Sequence, residues 1–174
     1  MSLSSYELPP YAYSHNVKAS FSSEKLSLNF NSTSRNKKVI SVRAPIYDFE
    51  GEFEFSYKDP HHSITTVNPA SDENRVNFNF GTKVYCIEVN GSYSLKGKEY
   101  KVKNAVAMHD HGRGTPPYKT MWVWGSLNAI LPDGRKLGAN FGTGDKPGMK
   151  LTTDALFIDG KIHKLGVVNV FFDN

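Results

Sequence analysis

Glu52-Phe53-Glu54-Phe55-Ser56-Tyr57 alternates charged or hydroxylated residues with aromatic ones without a break. Side chains reach opposite faces at every second position in an extended chain, so the stretch reads as a strand with one face on a core and one in water. The same period recurs outward on both sides. Leu26, Leu28 and Phe30 alternate with Lys25, Ser27 and Asn29, and Val76, Phe78 and Phe80 with Arg75, Asn77 and Asn79. Tyr85, Ile87 and Val89 continue the pattern, followed by Tyr93 and Leu95. No segment carries the 3.6-residue period of a convincing helix.

Turn chemistry joins these runs. Lys96-Gly97-Lys98 separates the run ending at Leu95 from one carrying Tyr100 and Val102. Pro132-Asp133-Gly134 joins the run through Trp122 and Trp124 to one carrying Leu137, Ala139 and Phe141. Asp159-Gly160 is the strongest signal, a type I′ turn between Phe157-Ile158 and Ile162-His163. These features predict an all-β fold: an antiparallel barrel or strongly curved sheet, with short hairpin connections and little or no helix. Stretch 60–74, with Pro60, Asn68 and Pro69, reads as a long loop, and Val167 to Phe172 as the last strand. Residues 1–18 read as a loosely held segment and 19–174 as one β domain. Both ends look cut, as in a portion of a longer protein.

The composition narrows the function classes. At 174 residues the chain is long enough to bury a core without disulfides or metals. Cys86 is its only cysteine, which fits a buried packing role and a reducing, cytoplasmic setting. No apolar run could span a bilayer, and Met1-Ser2-Leu3-Ser4-Ser5 lacks the blocks of a signal peptide, so stable membrane insertion is not expected. The net charge is +4, yet the basic residues are scattered, with Arg35, Lys37 and Lys38 the densest group. The aromatics form no nucleic-acid motif, so nucleic acid is not expected as a partner.

The ionisable groups concentrate in Met108-His109-Asp110-His111-Gly112-Arg113-Gly114, followed by Tyr118, Trp122 and Trp124. Large aromatics beside an ionisable cluster furnish ligand pockets, and they also fill β cores. Gly112 and Gly114 predict a bulge or bend that re-aims Asp110, His111 and Arg113. In an apolar cavity Asp110 would serve as an acid; paired with Arg113 it would be structural. His109 and His111 could share a metal, but two ligands are not enough and no third stands out, so neither a metal nor a cofactor is expected. Trp122, Trp124, Ser126 and Asn128 share one strand face, Met121, Val123 and Leu127 the other, which predicts a central strand covered on both sides. Gly138, Asn140, Gly142 and Gly144 alternate along the next strand, leaving room for a bulky aromatic such as Trp122 or Trp124. Asn140 on that face could bond a ligand or Asp110. No nucleophile motif is present.

Asp110-x-Gly112-Arg113-Gly114, Trp122-x-Trp124-x-Ser126, Gly138-Ala139-Asn140-Phe141-Gly142-x-Gly144 and Asp154-Ala155 through Asp159-Gly160-Lys161-Ile162-His163-Lys164 stand in a recognisable order. Over about residues 75–172 the chain resembles the family called domain of unknown function 2804, whose members show D-W-G-R-G, W-N-W-A-S, G-L-N-L-x-x-G and E-N-A-x-x-x-D-G-x-x-H-K. His111 replaces a Trp of that pattern, Val123 an Asn, and Thr153-Asp154 a Glu-Asn pair. More distantly, Met108-x-Asp110-His111, Trp122-x-Trp124 and Asp133-Gly134-Arg135 are similar to motifs of hydroxyneurosporene synthase-like carotenoid hydratases. That resemblance implies a lipocalin-like fold, Asp110 as an acid protonating an alkene, and Tyr118, Trp122 and Trp124 lining the pocket.

The leading reading is a lipocalin-like module that binds an apolar small molecule, or a structural barrel, with His111, Arg113, Tyr118, Trp122, Trp124 and Asn140 as candidate binding residues. The alternatives are a hydratase, isomerase or cyclase on an isoprenoid-like substrate with Asp110 as general acid, and half of a two-barrel protein. Open strand edges would allow a homodimer.

Overall fold

The computed structural model describes residues 5–7, 18–69, 78–114, 122–144, 152–168 and 171. Twelve strands run in the order β1 (Ser5–Glu7), β2 (Lys18–Ser22), β3 (Ser27–Ser34), β4 (Lys37–Ala44), β5 (Phe49–Ser56), β6 (Ile64–Pro69), β7 (Phe78–Leu95), β8 (Lys98–Gly114), β9 (Trp122–Ile130), β10 (Lys136–Gly144), β11 (Ala155–Ile158) and β12 (Lys161–Lys164). The described helical structure is one 3-10 turn at Pro45–Tyr47. No helix among the described residues is long and apolar enough to cross a membrane. The all-β expectation holds, and one sheet is strongly curled.

Two antiparallel sheets carry the chain. The first has the order β1-β2-β3-β4-β5-β7-β6, with β8 also paired to β7; the second has the order β12-β11-β10-β9. Three connections show why the pairing is antiparallel. Lys96 (φ 51°) and Gly97 (φ 71°) both lie in the left-handed region, as do Asp159 (φ 49°) and Gly160 (φ 79°). Two successive positive φ values make the type I′ turn, whose twist matches that of the strands it joins. The third, at Pro132-Asp133-Gly134, is tied by Gly134 N–H to the Leu131 carbonyl, and the Asp133 carboxylate accepts from the Arg135 amide.

The chain divides into two compact units: residues 1–59 with 88–105, and residues 60–87 with 106–174. In the first, every described strand belongs to the first sheet. Its apolar face carries tilted and stacked ring pairs, Phe49–Tyr93, Phe53–Tyr93 and Tyr93–Tyr100. In the second, parts of both sheets enclose a core of Ile64, Tyr85, Cys86, Ala155 and Phe157, with Met108 and Ile162 packed against it. Tyr85 and Phe157 stack at 4.8 Å between ring centroids.

Four expectations are corrected. Residues 64–69 of the supposed loop form β6, because Ile64, Thr65, Thr66 and Val67 are mostly β-branched and Pro69 falls at the strand end; residues 70–74 lie outside the described set. Val167 and Val168 are in no strand: the Val168 amide donates to the Asp154 carboxylate instead of to a ladder. Alternation breaks at Cys86 (φ 60°), so Val84, Tyr85, Cys86 and Ile87 are all buried in succession. Such a bulge takes an amide out of the ladder, and the Cys86 N–H is satisfied by Asn128 Oδ1 at 3.1 Å. Finally, among the described residues β9 pairs with β10 alone and stands at the edge of the second sheet, not at its centre.

Candidate functional site

The second unit gathers most of the candidate residues around the face of β9 and β10. Register sets Trp124 opposite Gly142, Ser126 opposite Asn140 and Asn128 opposite Gly138. Gly138 also stands opposite Phe157. A Cβ on Gly138 would lie 2.7 Å from Tyr85 Cβ, so the missing side chain is what lets Tyr85 seat on Phe157. The glycine stripe does accept an aromatic, as its spacing implied; the ring is chiefly Tyr85, while Trp124 Cδ1 comes within 3.9 Å of the Gly142 position.

Asn140 is the hub. Its Oδ1 accepts from the Tyr85 hydroxyl at 2.9 Å and from Trp124 Nε1 at 2.8 Å. Its Nδ2 donates to the Thr153 carbonyl and to Thr153 Oγ1, at 2.8 and 3.2 Å. Both lone pairs and both N–H groups of the amide are thus taken within the protein. Asn140 is fully buried, so this complete satisfaction removes the cost of placing an amide in the core. Tyr85 Oη also lies 3.1 Å from Ser126 Oγ. Burial pushes the Tyr85 phenol above its ordinary pKa, the Ser126 contact pulls it down and the Asp110 charge raises it further.

Asp110 takes a partner from β7. Its carboxylate forms an ion pair with Lys83, whose ammonium also sits 4.2 Å from the centre of the Trp124 ring. The expected alternatives were an apolar cavity or an Arg113 partner. Arg113 is exposed at the end of β8, and no ion pair joins it to Asp110. The Lys83 ammonium therefore links Asp110 by charge to Trp124 by cation–π attraction, and Trp124 links to Asn140 by hydrogen bond. His111 is half-buried, its ring tilted against His109 at 6.1 Å. No group of three His, Cys, Asp or Glu side chains among the described residues could hold a metal ion. Tyr118 lies outside the described residues.

The two tryptophans remain open to solvent, Trp122 at 65% and Trp124 at 40% exposure, with Leu127 and Ile130 of the same strand also exposed. Asp154 is the buried carboxylate that sequence reasoning did not single out. Its Oδ1 accepts the Gly142 amide at 2.7 Å and its Oδ2 the Val168 amide at 3.1 Å, while its carbonyl accepts from Lys164 Nζ and the Leu165 amide. Every one of those contacts is structural. Tyr85 and Lys83 were also missed. The glycine stripe was the one signal that could have pointed to an aromatic such as Tyr85.

No curated protein and no solved structure matches the chain. One family does, over the whole of residues 1–174, well beyond the 75–172 on which the motif resemblance rested. The chain belongs to the family described as domain of unknown function (DUF2804).

Proposed function

We propose that this chain is a non-catalytic β module that binds a flat apolar small molecule on the tryptophan shelf of β9. One observation carries the reading. Asp110, the candidate acid, is ion-paired with Lys83, while the rings of Trp122 and Trp124 are left exposed. A general acid must deliver its proton to a substrate, and the Asp110 carboxylate is already held by a neighbouring strand's Lys83. The Trp124 indole is fixed from beneath by Asn140 and flanked by Lys83, so the shelf is ordered before any ligand arrives. A lone, buried Cys86 fits a reducing, cytoplasmic setting for such a module.

Native mass spectrometry of the purified chain, with solvent extraction of whatever is bound, tests this directly. A co-purified lipid or isoprenoid, and quenching of tryptophan emission by added retinol that Trp122→Ala weakens, are the expected results. Asp110→Asn leaves that binding intact. Turnover of an isoprenoid that Asp110→Asn abolishes would replace the reading with the hydratase one. Retinol that quenches neither tryptophan would end it.

A second reading draws support from the first unit. Phe30 on its apolar sheet face is 45% exposed, and Leu28, Ile40, Val42 and Phe53 are only half-buried. A sheet face of that kind is usually covered by another layer, so the chain would be one half of a larger β assembly, or one copy of a homodimer. Light scattering after gel filtration, with an apolar dye added, decides it. A dye-silent monomer excludes this second reading.

A further inference from the structure

The opposite, polar face of the first unit holds a groove of about 420 Å³ that crosses from β3 to β8. Register builds its walls. Arg43, Glu50 and Ser94 stand opposite one another in one row, and Ser41, Glu52 and Ser92 in a second row two residues away along the strands. The backbone of Val42, Gly51 and Tyr93 runs between the rows as a floor, because residues one position out of step send their side chains to the other face. Rows two residues apart are separated by about 6.7 Å, wide enough to admit a chain of methylene groups. Glu99 closes the β8 end.

The charges in this groove do not satisfy each other. Arg43 and Glu50 are cross-strand partners, yet no ion pair joins them. Beyond the backbone ladder, the side chains of Arg43, Glu50 and Glu99 make no hydrogen bond or ion pair with any described residue. Glu52 differs: Ser41 Oγ donates to its carboxylate at 2.9 Å and holds it at the wall. One guanidinium and three carboxylates (Glu50, Glu52, Glu99) leave the lining two negative charges in excess. A guanidinium is a planar fork matched to a carboxylate, and carboxylates match ammonium groups.

We propose that the groove binds a basic amino acid, with its α-carboxylate on Arg43 and its two ammonium groups among Glu50, Glu52 and Glu99. The ligand then carries one negative and two positive charges against one positive and three negative ones. A polyamine would leave Arg43 unmatched. A neutral sugar would leave all four charges unmatched, and the aromatic rings that sugars stack on lie on the other face.

The test is titration of the full chain with L-lysine, spermidine and glucose in parallel, read by calorimetry at low and at physiological salt. L-lysine binds tightest of the three, and salt weakens it, because the site is open to screening. Arg43→Ala lowers the L-lysine affinity about tenfold and leaves spermidine unchanged, the loss of one charge-assisted contact. Glu50→Gln weakens both. Arg43→Gln repeats the first result without shortening the side chain so far, should Arg43→Ala alter the circular dichroism. Absence of L-lysine binding overturns the proposal. So does spermidine binding as tight as L-lysine, an L-lysine affinity indifferent to both Arg43 variants, or a preference for glucose.

Discussion

The two units share an alternating strand pattern and differ in what their apolar faces meet. In the second unit, a layer from each sheet closes on Tyr85 and Phe157, and Phe157, Ala155, Ile87 and Asn140 are lost to solvent entirely or nearly so. In the first, every described strand belongs to one sheet, and Phe49, Phe53, Tyr93 and Tyr100 touch each other along it. Alternation is enough to make a strand, because it only requires a pleat and a preferred face. A core requires a second layer and a gap into which that layer can insert. Gly138 supplies the gap in the second unit. In the first unit Gly51 sits beneath Tyr93 of the same sheet, where a Cβ would meet Tyr93 Cβ at 2.9 Å, so the space serves packing within the layer.

The sharpest way to break this contrast is to empty each side in turn. Phe157→Ala should cost about 3–5 kcal/mol, as for a large aromatic removed from a closed core. Chemical denaturation gives the number, and a loss under about 1 kcal/mol would mean that the second unit has no specific core. Asn140→Ala comes next, at about 2–3 kcal/mol, because it removes the acceptor of the Trp124 indole N–H, leaves the Tyr85 hydroxyl with Ser126 Oγ alone and strands the Thr153 carbonyl without its donor. A shift in tryptophan emission should accompany it. Phe30→Ala should cost about 1 kcal/mol or less in the same assay, since nearly half of that side chain already faces water. A cost as large as that of Phe157→Ala would erase the distinction between the units.

The smallest effect concerns pH. Burial pushes the Tyr57 phenol up to about 12. The fold therefore favours the neutral phenol: its contribution is complete below the ordinary value near 10 and is lost as pH rises through about 12. Lys38, whose ammonium lies 5.1 Å from the centre of the Tyr57 ring, is shifted downward by burial. Its sign is opposite, since the fold binds its proton less readily than the unfolded chain does. Tyr57→Phe isolates the tyrosine. Between pH 10 and 12 the variant should lose less stability than the parent, and parallel pH slopes would mean that this phenol is not buried.

Much of the fold was legible because its signals are local. The Asp159-Gly160 and Lys96-Gly97 turns need only two adjacent residues that tolerate positive φ, and both take the conformation those residues favour. β6 escaped because Pro60, Asn68 and Pro69 outweighed four residues of strand character between them. The position of β9 escaped for another reason. Apolar residues on both faces resemble burial on both faces, but Trp122, Trp124, Leu127 and Ile130 are exposed at a sheet edge. The site was legible as a neighbourhood and not as a wiring. Lys83 and Asp110 are 27 residues apart, and their pairing depends on how two long strands meet. Asn140 stood out for its place among glycines, yet four hydrogen bonds to three other residues could not be read from one strand.

Asp154 has a consequence for exchange kinetics. The chain after β12 has no strand partner through residues 165–168, so its amides would ordinarily trade hydrogen with solvent at the rate of an open loop. Two of them have acceptors, both on Asp154: the Leu165 amide on its carbonyl and the Val168 amide on its carboxylate. The same carboxylate holds the Gly142 amide of β10. In deuterium, Leu165 and Val168 should be slow positions flanking a fast Gly166 and Val167. In Asp154→Ala, which removes both oxygens, Val168 should become fast together with Gly142, while Leu165, bonded to the backbone, keeps its protection.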